Sequence, residues 1–218
     1  MYFDLHIHST YSKDSLLKPR QIIKIAMSKN LDVIGITDHN TIKGGLIAKQ
    51  EAMKLENILV IVGSEIKTNF GDIIGLFLNE EIHKRDFCEA IDAIYDQGGI
   101  VVLPHPYRRK HFPSEAMLRK IHIIEGINGR TPNKLNENAI LLARKLDKPI
   151  TGGSDAHFPF EIGTVRNFIS REFLDEEELR KALLKGDRIQ VIPKLLPAPV
   201  RKANSLVGFM IKKVREAI

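Results

Sequence analysis

Short apolar runs that end on a histidine, aspartate or glutamate recur along this chain: DLHIHS (4–9), LDVIGITDH (31–39), ILVIVGSE (58–65), IVVLPH (100–105) and PITGGSDAH (149–157). Apolar, β-branched runs of this length suit strands buried on both faces. Between them lie segments with helical spacing: KPRQIIKIAMSKN (18–30), where Pro19 suits a first turn, IKGGLIAKQEAMKLE (42–56), DFCEAIDAIYDQGG (86–99), SEAMLRK (114–120), NKLNENAILLARKLD (133–147) and LDEEELRKALLKG (174–186). DIIGLFL (72–78) and RIQVI (188–192) read as further strands. Strand–helix units in series imply a parallel sheet, either closed as a barrel or open and doubly wound. PKLLPAP (193–199) reads as a connector, and SLVGFMIKKVREAI (205–218) as an amphipathic terminal helix.

The 218 residues suffice for one domain with a sizeable core, or one domain and a small appendage. No apolar run approaches the ~18 residues needed to span a bilayer, and no secretory signal is expected at the N-terminus. The single cysteine, Cys88, excludes an internal disulfide framework. It reads as a packed apolar residue, and a reducing cytoplasm is the simplest compartment. Neither GxxxxGK[ST] nor a GxGxxG after a strand is present, which leaves a nucleotide-cofactor fold little support. The net charge of +6 favours anionic partners. Much of it sits at the end, where Lys194, Arg201, Lys202, Lys212, Lys213 and Arg215 oppose only Glu216; this reads as a solvated helix face.

Alternation puts Asp4, His6 and His8 on one face of the first strand and Phe3, Leu5 and Ile7 on the other. The apolar face is expected to pack on helices, and the polar face to turn into a barrel near its C-terminal rim. Asp38 and His39, Glu65, His105, and Asp155 and His157 end four further strands, where α/β folds gather ligands. Such groups are costly to bury unless paired or metal-bound. Imidazole with carboxylate suits zinc, manganese or iron. Two such ions ~3.5–4 Å apart can clamp a phosphoryl group and generate hydroxide at neutral pH. The alternation would then deliver two ligands to one metal from one strand.

In DLHIHSTYSKDS, DVIGITDHNT, VGSEI, VVLPHPYR and TGGSDAH the chain resembles the PHP family, the polymerase and histidinol phosphatase domains, from residue 4 to 157. The resemblance implies an α/β fold, a distorted TIM-like (β/α)7 barrel. We assign it to residues 1–192, with the connector and basic helix of 193–218 packed on or beside it. The resemblance further implies two or three divalent ions. His6, His8, Glu65 and Asp155 would hold one; Glu65 and His105 a second; Asp14, His39 and His157 a third. Asp72 stands where some relatives have histidine, and is either a ligand of the second ion or a contact of its water. Asp14 is a ligand or a loop cap. Asp38 is the expected catalytic support, orienting a ligand or water; Asp4 does the same or only hydrogen-bonds.

The implied chemistry is hydrolysis of phosphate esters. Among Arg108, Arg109, Lys110 and His111, Arg108 is the expected catalytic and substrate-binding cation, because guanidinium pairs with phosphate in a planar fork. Arg130 is a second substrate-binding candidate. Glu125 and Asn128 face substrate, support a metal or cap a turn. His83 and His122 read as structural. A small phosphorylated substrate is expected first. The alternative is a metal-dependent exonuclease on single-stranded nucleic acid, but no stripe of aromatics among basic residues supports base stacking. A third possibility is a metal-stapled binding domain whose tail contacts a partner. Val207, Met210, Ile211, Val214 and Ile218 fall at helical spacing, as a core stripe would.

Overall fold

The structure, a computed structural model of the chain, describes residues 1–55, 58–109, 111–170, 175–186 and 188–217. Lys110 and Ile218, and the expected helix residues Glu56 and Leu174, lie outside the described residues. The elements run β1 (Tyr2–Ile7), α1 (Pro19–Ser28), β2 (Val33–His39), α2 (Lys43–Ala52), β3 (Leu59–Thr68), β4 (Gly71–Leu76), α3 (Phe87–Asp96), β5 (Ile100–Leu103), α4 (Glu115–Arg119), β6 (Ile123–Asn128), α5 (Asn133–Lys145), β7 (Ile150–Gly153), β8 (Val165–Ile169), α6 (Glu176–Lys185), β9 (Ile189–Pro193) and α7 (Ala198–Ala217).

One nine-stranded sheet runs in the order β7-β6-β5-β4-β3-β2-β1-β8-β9. It curls so that the chain just after β7 returns to β1: Ile7 bridges Ala156, and the His8 amide donates to the Ala156 carbonyl at 2.9 Å. Seven strands thus form a nearly closed barrel, and β8 and β9 extend β1 outside it. Asn167 of β8 ties the seam. Its Oδ1 accepts from the Gly152 amide (2.7 Å), and its Nδ2 donates to the carbonyls of Gly152 (2.9 Å) and Phe3 (3.2 Å).

The sheet is mixed rather than parallel. β4 is antiparallel to both β3 and β5, and β8 to both β1 and β9. The reason is chain length: only residues 67–71 separate the apolar runs of β3 and β4, whereas a parallel crossover needs roughly a dozen residues or more. The hairpin puts the start of β4 at the same rim as the ends of its parallel neighbours. β8, whose VRNFI run is short, went unread in the sequence.

Phe3, Leu5, Val33, Ile61, Ile74, Val102 and Ile123, from six strands, meet in one cluster that fills the barrel interior; Leu179, Ala182 and Leu183 of α6 plug its end. The expected alternation along β1 fails here. The register slips between Asp4 and Ile7, so Phe3 and Leu5 point inward and Ile7 packs outward among α1 and α2. Asp4 turns instead to the amides of Ser154 (3.1 Å) and Gly163 (3.0 Å).

α7 begins seven residues before the expected start, because Pro199 fits a first helical turn. Its apolar stripe is not core. Val207, Met210 and Val214 are exposed, with Leu206 (60%) and Phe209 (57%), while Arg201, Asn204 and Gly208 are buried. No helix among the described residues is long and apolar enough to cross a membrane.

Candidate metal centre

The slipped register of β1 brings His6, and His8 just after the strand, to the rim. Parallel pairing sets His39, at the end of β2, directly beside Glu65, beyond which β3 runs three residues further along β4. His105 follows β5, and Asp155 and His157 follow β7. His105 (φ 29°) and Asp155 (φ 54°) both adopt left-handed backbone conformations. For residues with a side chain that costs on the order of 1–3 kcal/mol each and is typical of functional sites.

Three groups of side chains place their donor atoms within 4.8 Å of one another: His6, His8 and Asp155; His6, Glu65 and His105; His8, His39 and His157. Glu65 is the hub. Its Oε2 lies 3.1 Å from His39 Nδ1, 3.3 Å from His8 Nε2 and 3.6 Å from His6 Nε2, and its Oε1 lies 2.8 Å from His105 Nε2. Asp14 spans the outer pair, 3.2 Å from His39 Nε2 and 3.4 Å from His157 Nε2. Asp72 lines the same cavity from the start of β4.

A second ring of polar groups fixes these rings. Ser12 Oγ donates to Asp38 Oδ1 (2.7 Å), accepts the His39 amide (3.0 Å), and lies 3.1 Å from His8 Nδ1. With its proton spent on Asp38, the hydroxyl can only accept from His8, so Nδ1 carries the hydrogen and Nε2 is a bare lone pair. His6 Nδ1 lies 2.8 Å from Glu125 Oε1, and Glu125 Oε2 accepts the His105 amide (2.9 Å) and Asn128 Nδ2 (3.0 Å). Gly153 makes room for this, since a Cβ there would fall 2.2 Å from Glu125 Oε1 and 2.5 Å from the His6 Cβ.

The electrostatics follow from this packing. Burial, together with the neighbouring His157 and His39, pushes His8 down to about 3. Burial opposes charge on Glu65 and Asp155 too, but His39, His105 and His6 hold Glu65 well below the usual carboxylate range, and His6, His8 and Arg108 do so for Asp155. His6, against the pull of burial, is raised by Glu125 and Asp155. Burial and the charge of Glu65 raise Asp72.

This donor set fits divalent cations. The bare Nε2 of His8 faces His6 Nε2 (3.1 Å), Glu65 Oε2 (3.3 Å) and Asp155 Oδ1 (3.4 Å), an assembly of acceptors with at most one proton to share. Asp14 Oδ1 is buried without a hydrogen-bond partner among the described residues. Cations satisfy such a cluster directly, and the imidazole and carboxylate donors suit zinc, manganese or iron.

The cluster floors a cavity of about 200 Å³, walled by Arg108, Arg130 and, from α7, Ser205, Gly208, Phe209 and Lys212. Arg108, 39% exposed, donates to Asp155 Oδ2 at 2.7 Å. Arg130 Nη1 lies 2.7 Å from His157 Nδ1. Other sequence candidates sit elsewhere. Asp38 lies behind the imidazoles, accepting from Ser9 and Ser12, rather than at the cavity wall. Arg109 is bonded to the carbonyls of Phe70, Asp72, Pro104 and Pro106, and His111 is exposed. Ser12 and the α7 residues went unread as site residues; only the serine spacing STYS after the two histidines hints at the first.

The sequence profile of the PHP domain matches residues 4–151. The chain belongs to the PHP domain family. A PHP-associated profile matches residues 133–187. Two uncharacterised proteins of Methanocaldococcus jannaschii are similar: one is 47% identical over 121 residues, 49% of this chain and 68% of its own; the other is 37% identical over 174 residues, 75% and 68%. Among solved structures, a two-domain protein of Bacteroides vulgatus containing a predicted PHP-like metal-dependent phosphoesterase shares the fold, with a TM-score of 0.75 at 24% identity. The match covers 88% of this PHP chain and 64% of that protein.

Proposed function

We propose that this PHP chain is a metal-dependent hydrolase of small phosphomonoesters. The observation that carries the reading is a cavity with a floor of clustered imidazoles and carboxylates and three cations, Arg108, Arg130 and Lys212, on its walls. His6, His8, Glu65 and Asp155 would hold one ion, Glu65 and His105 a second, and Asp14, His39 and His157 a third, with Asp72 turned toward the second. When bound, divalent ions supply positive charge for phosphate oxygens and lower the pKa of water.

The chain's own residues do the rest. Glu125 and Ser12 hold the rings of His6 and His8 in one tautomer and orientation, which raises their quality as ligands. Asp38 acts through Ser12 as a positioning residue. Arg108 stands at the open edge and offers its remaining N–H groups to a phosphoryl oxygen in a planar fork. A cavity of about 200 Å³ is below the roughly 300–1,000 Å³ of pockets for drug-sized ligands. That supports a compact substrate over a polymer.

The test is a phosphate-release screen on the full chain loaded with manganese or zinc. It covers phosphorylated metabolites and p-nitrophenyl phosphate, with a labelled single-stranded oligonucleotide alongside. Release from a monoester, abolished by chelator, is expected. Mononucleotides appearing from the oligonucleotide without monoester turnover would replace the reading with the exonuclease one. No turnover of any ester would leave a metal-binding domain.

A further inference from the structure

We propose that α7 is a strap completing the substrate pocket, and that Lys212 is the phosphate-binding residue it supplies. The proposal rests on the phosphoesterase reading above and extends it to a part of the chain beyond the motifs that carry the family resemblance.

The helix is pinned across the mouth at both ends. Arg201 Nη1 donates to the Thr131 carbonyl (2.5 Å) and Nη2 to Asn133 Oδ1 (3.0 Å). Asn204 Nδ2 donates to Glu161 Oε1 (2.7 Å). At the far end, Arg215 Nη1 donates to the carbonyls of Ser15 (3.0 Å) and Ser12 (3.2 Å), in the loop that carries Asp14. From Arg201 to Arg215 the helix spans roughly 21 Å, from the loop after β6 to the loop after β1.

Its inward face is mostly polar, with Phe209 alone among the exposed apolar residues also reaching the cavity wall. Ser205, Gly208 and Lys212 follow Arg201 at helical spacing and line the cavity. An amphipathic helix laid on a protein normally buries its apolar stripe; this one exposes Leu206, Val207, Met210 and Val214 instead. A polar face turned to a charged rim is a choice that packing alone does not explain. Gly208 packs in ordinary contact with the rim: a Cβ there would lie 3.5 Å from both Arg130 Nη2 and the Asp14 carbonyl.

Lys212 is the wall cation whose charge is unspent. Arg108 is committed to Asp155 and Arg130 is wedged between His157 and Glu161. Lys213, one residue on, is exposed, pairs with Glu216 (3.6 Å) and lies over the Phe209 ring. Lys212 is half-buried and makes no ion pair among the described residues. A flexible ammonium beside the metal-facing floor is suited to a phosphoryl oxygen.

The experiment compares wild type, Lys212→Ala, Lys212→Arg and the exposed control Lys213→Ala, each as the full metal-loaded chain. Calorimetric binding of inorganic phosphate is read first, then KM and kcat for the best monoester of the screen. Lys212→Ala is expected to weaken phosphate binding about ten- to a hundredfold, the worth of one charge-assisted hydrogen bond. KM should rise in step while kcat changes little, as for an interaction made equally in ground and transition states. Lys212→Arg should recover much of the loss, and Lys213→Ala should match wild type. Phosphate affinity in Lys212→Ala equal to wild type, or wild type that binds no phosphate, would overturn the proposal. Lys212-dependent phosphate binding without turnover of any ester would instead remove the phosphoesterase reading and leave Lys212 in place.

Discussion

The hydroxyl of Ser12 has one proton and two lone pairs, and Asp38, the His39 amide and His8 use all three. Glu125 is as fully engaged: three N–H groups, from His6, the His105 backbone and Asn128, converge on its two oxygens. Glu125→Gln would set an amide N–H₂ against one of those donors. It is therefore expected to lower metal affinity about 10- to 100-fold with an unchanged circular dichroism spectrum; unchanged affinity in a metal titration would deny Glu125 its positioning role. These residues also mark where the sequence stops being legible. The histidines and carboxylates that end strands could be picked out, because local pattern places a strand end. The partner of each ring could not, because His6 and Glu125 lie 119 positions apart and meet only through the sheet's curl. Asp38, adjacent to His39 in sequence, was read as orienting a ligand or water, and it reaches His8 through Ser12.

Elements show the same division. Helices and the strands other than β8 were legible from their periodicity, but strand direction was not read from loop length, although the five residues between the apolar runs of β3 and β4 already exclude a crossover. α7 misled for a different reason. Its stripe of Val207, Met210 and Val214 has the spacing of a buried face, yet what decides is the surface it meets, a rim of charged groups. Arg201 is one of the contacts that hold it, with Asn204 and Arg215. Arg201→Ala strands the Thr131 carbonyl and Asn133 and is expected to cost about 1–3 kcal/mol of stability in urea titration. Limited proteolysis should cut faster between β9 and α7. A variant as stable and as protected as wild type would mean that α7 is anchored elsewhere.

Over the whole molecule, the closed seam between β7 and β1 converts separate strand ends into one cavity. β1 and the loop after it supply two imidazoles and Asp14, β2 one imidazole, β3 the hub carboxylate and β4 Asp72, and the segments after β5 and β7 supply the rest. The net charge of +6 is concentrated in part on the helix over that cavity, where Lys212 lines the wall while Lys202 and Lys213 are exposed. The account stands on divalent cations occupying the floor. The most direct measurement is the metal content of the dialysed, reconstituted chain by plasma mass spectrometry, for wild type and for His8→Ala. We expect two or three zinc, manganese or iron ions per wild-type chain, and fewer in a still-folded His8→Ala with its phosphate release abolished. A wild-type chain that takes up no ion, or a variant that binds as many as tightly and turns over at the same rate, would contradict it.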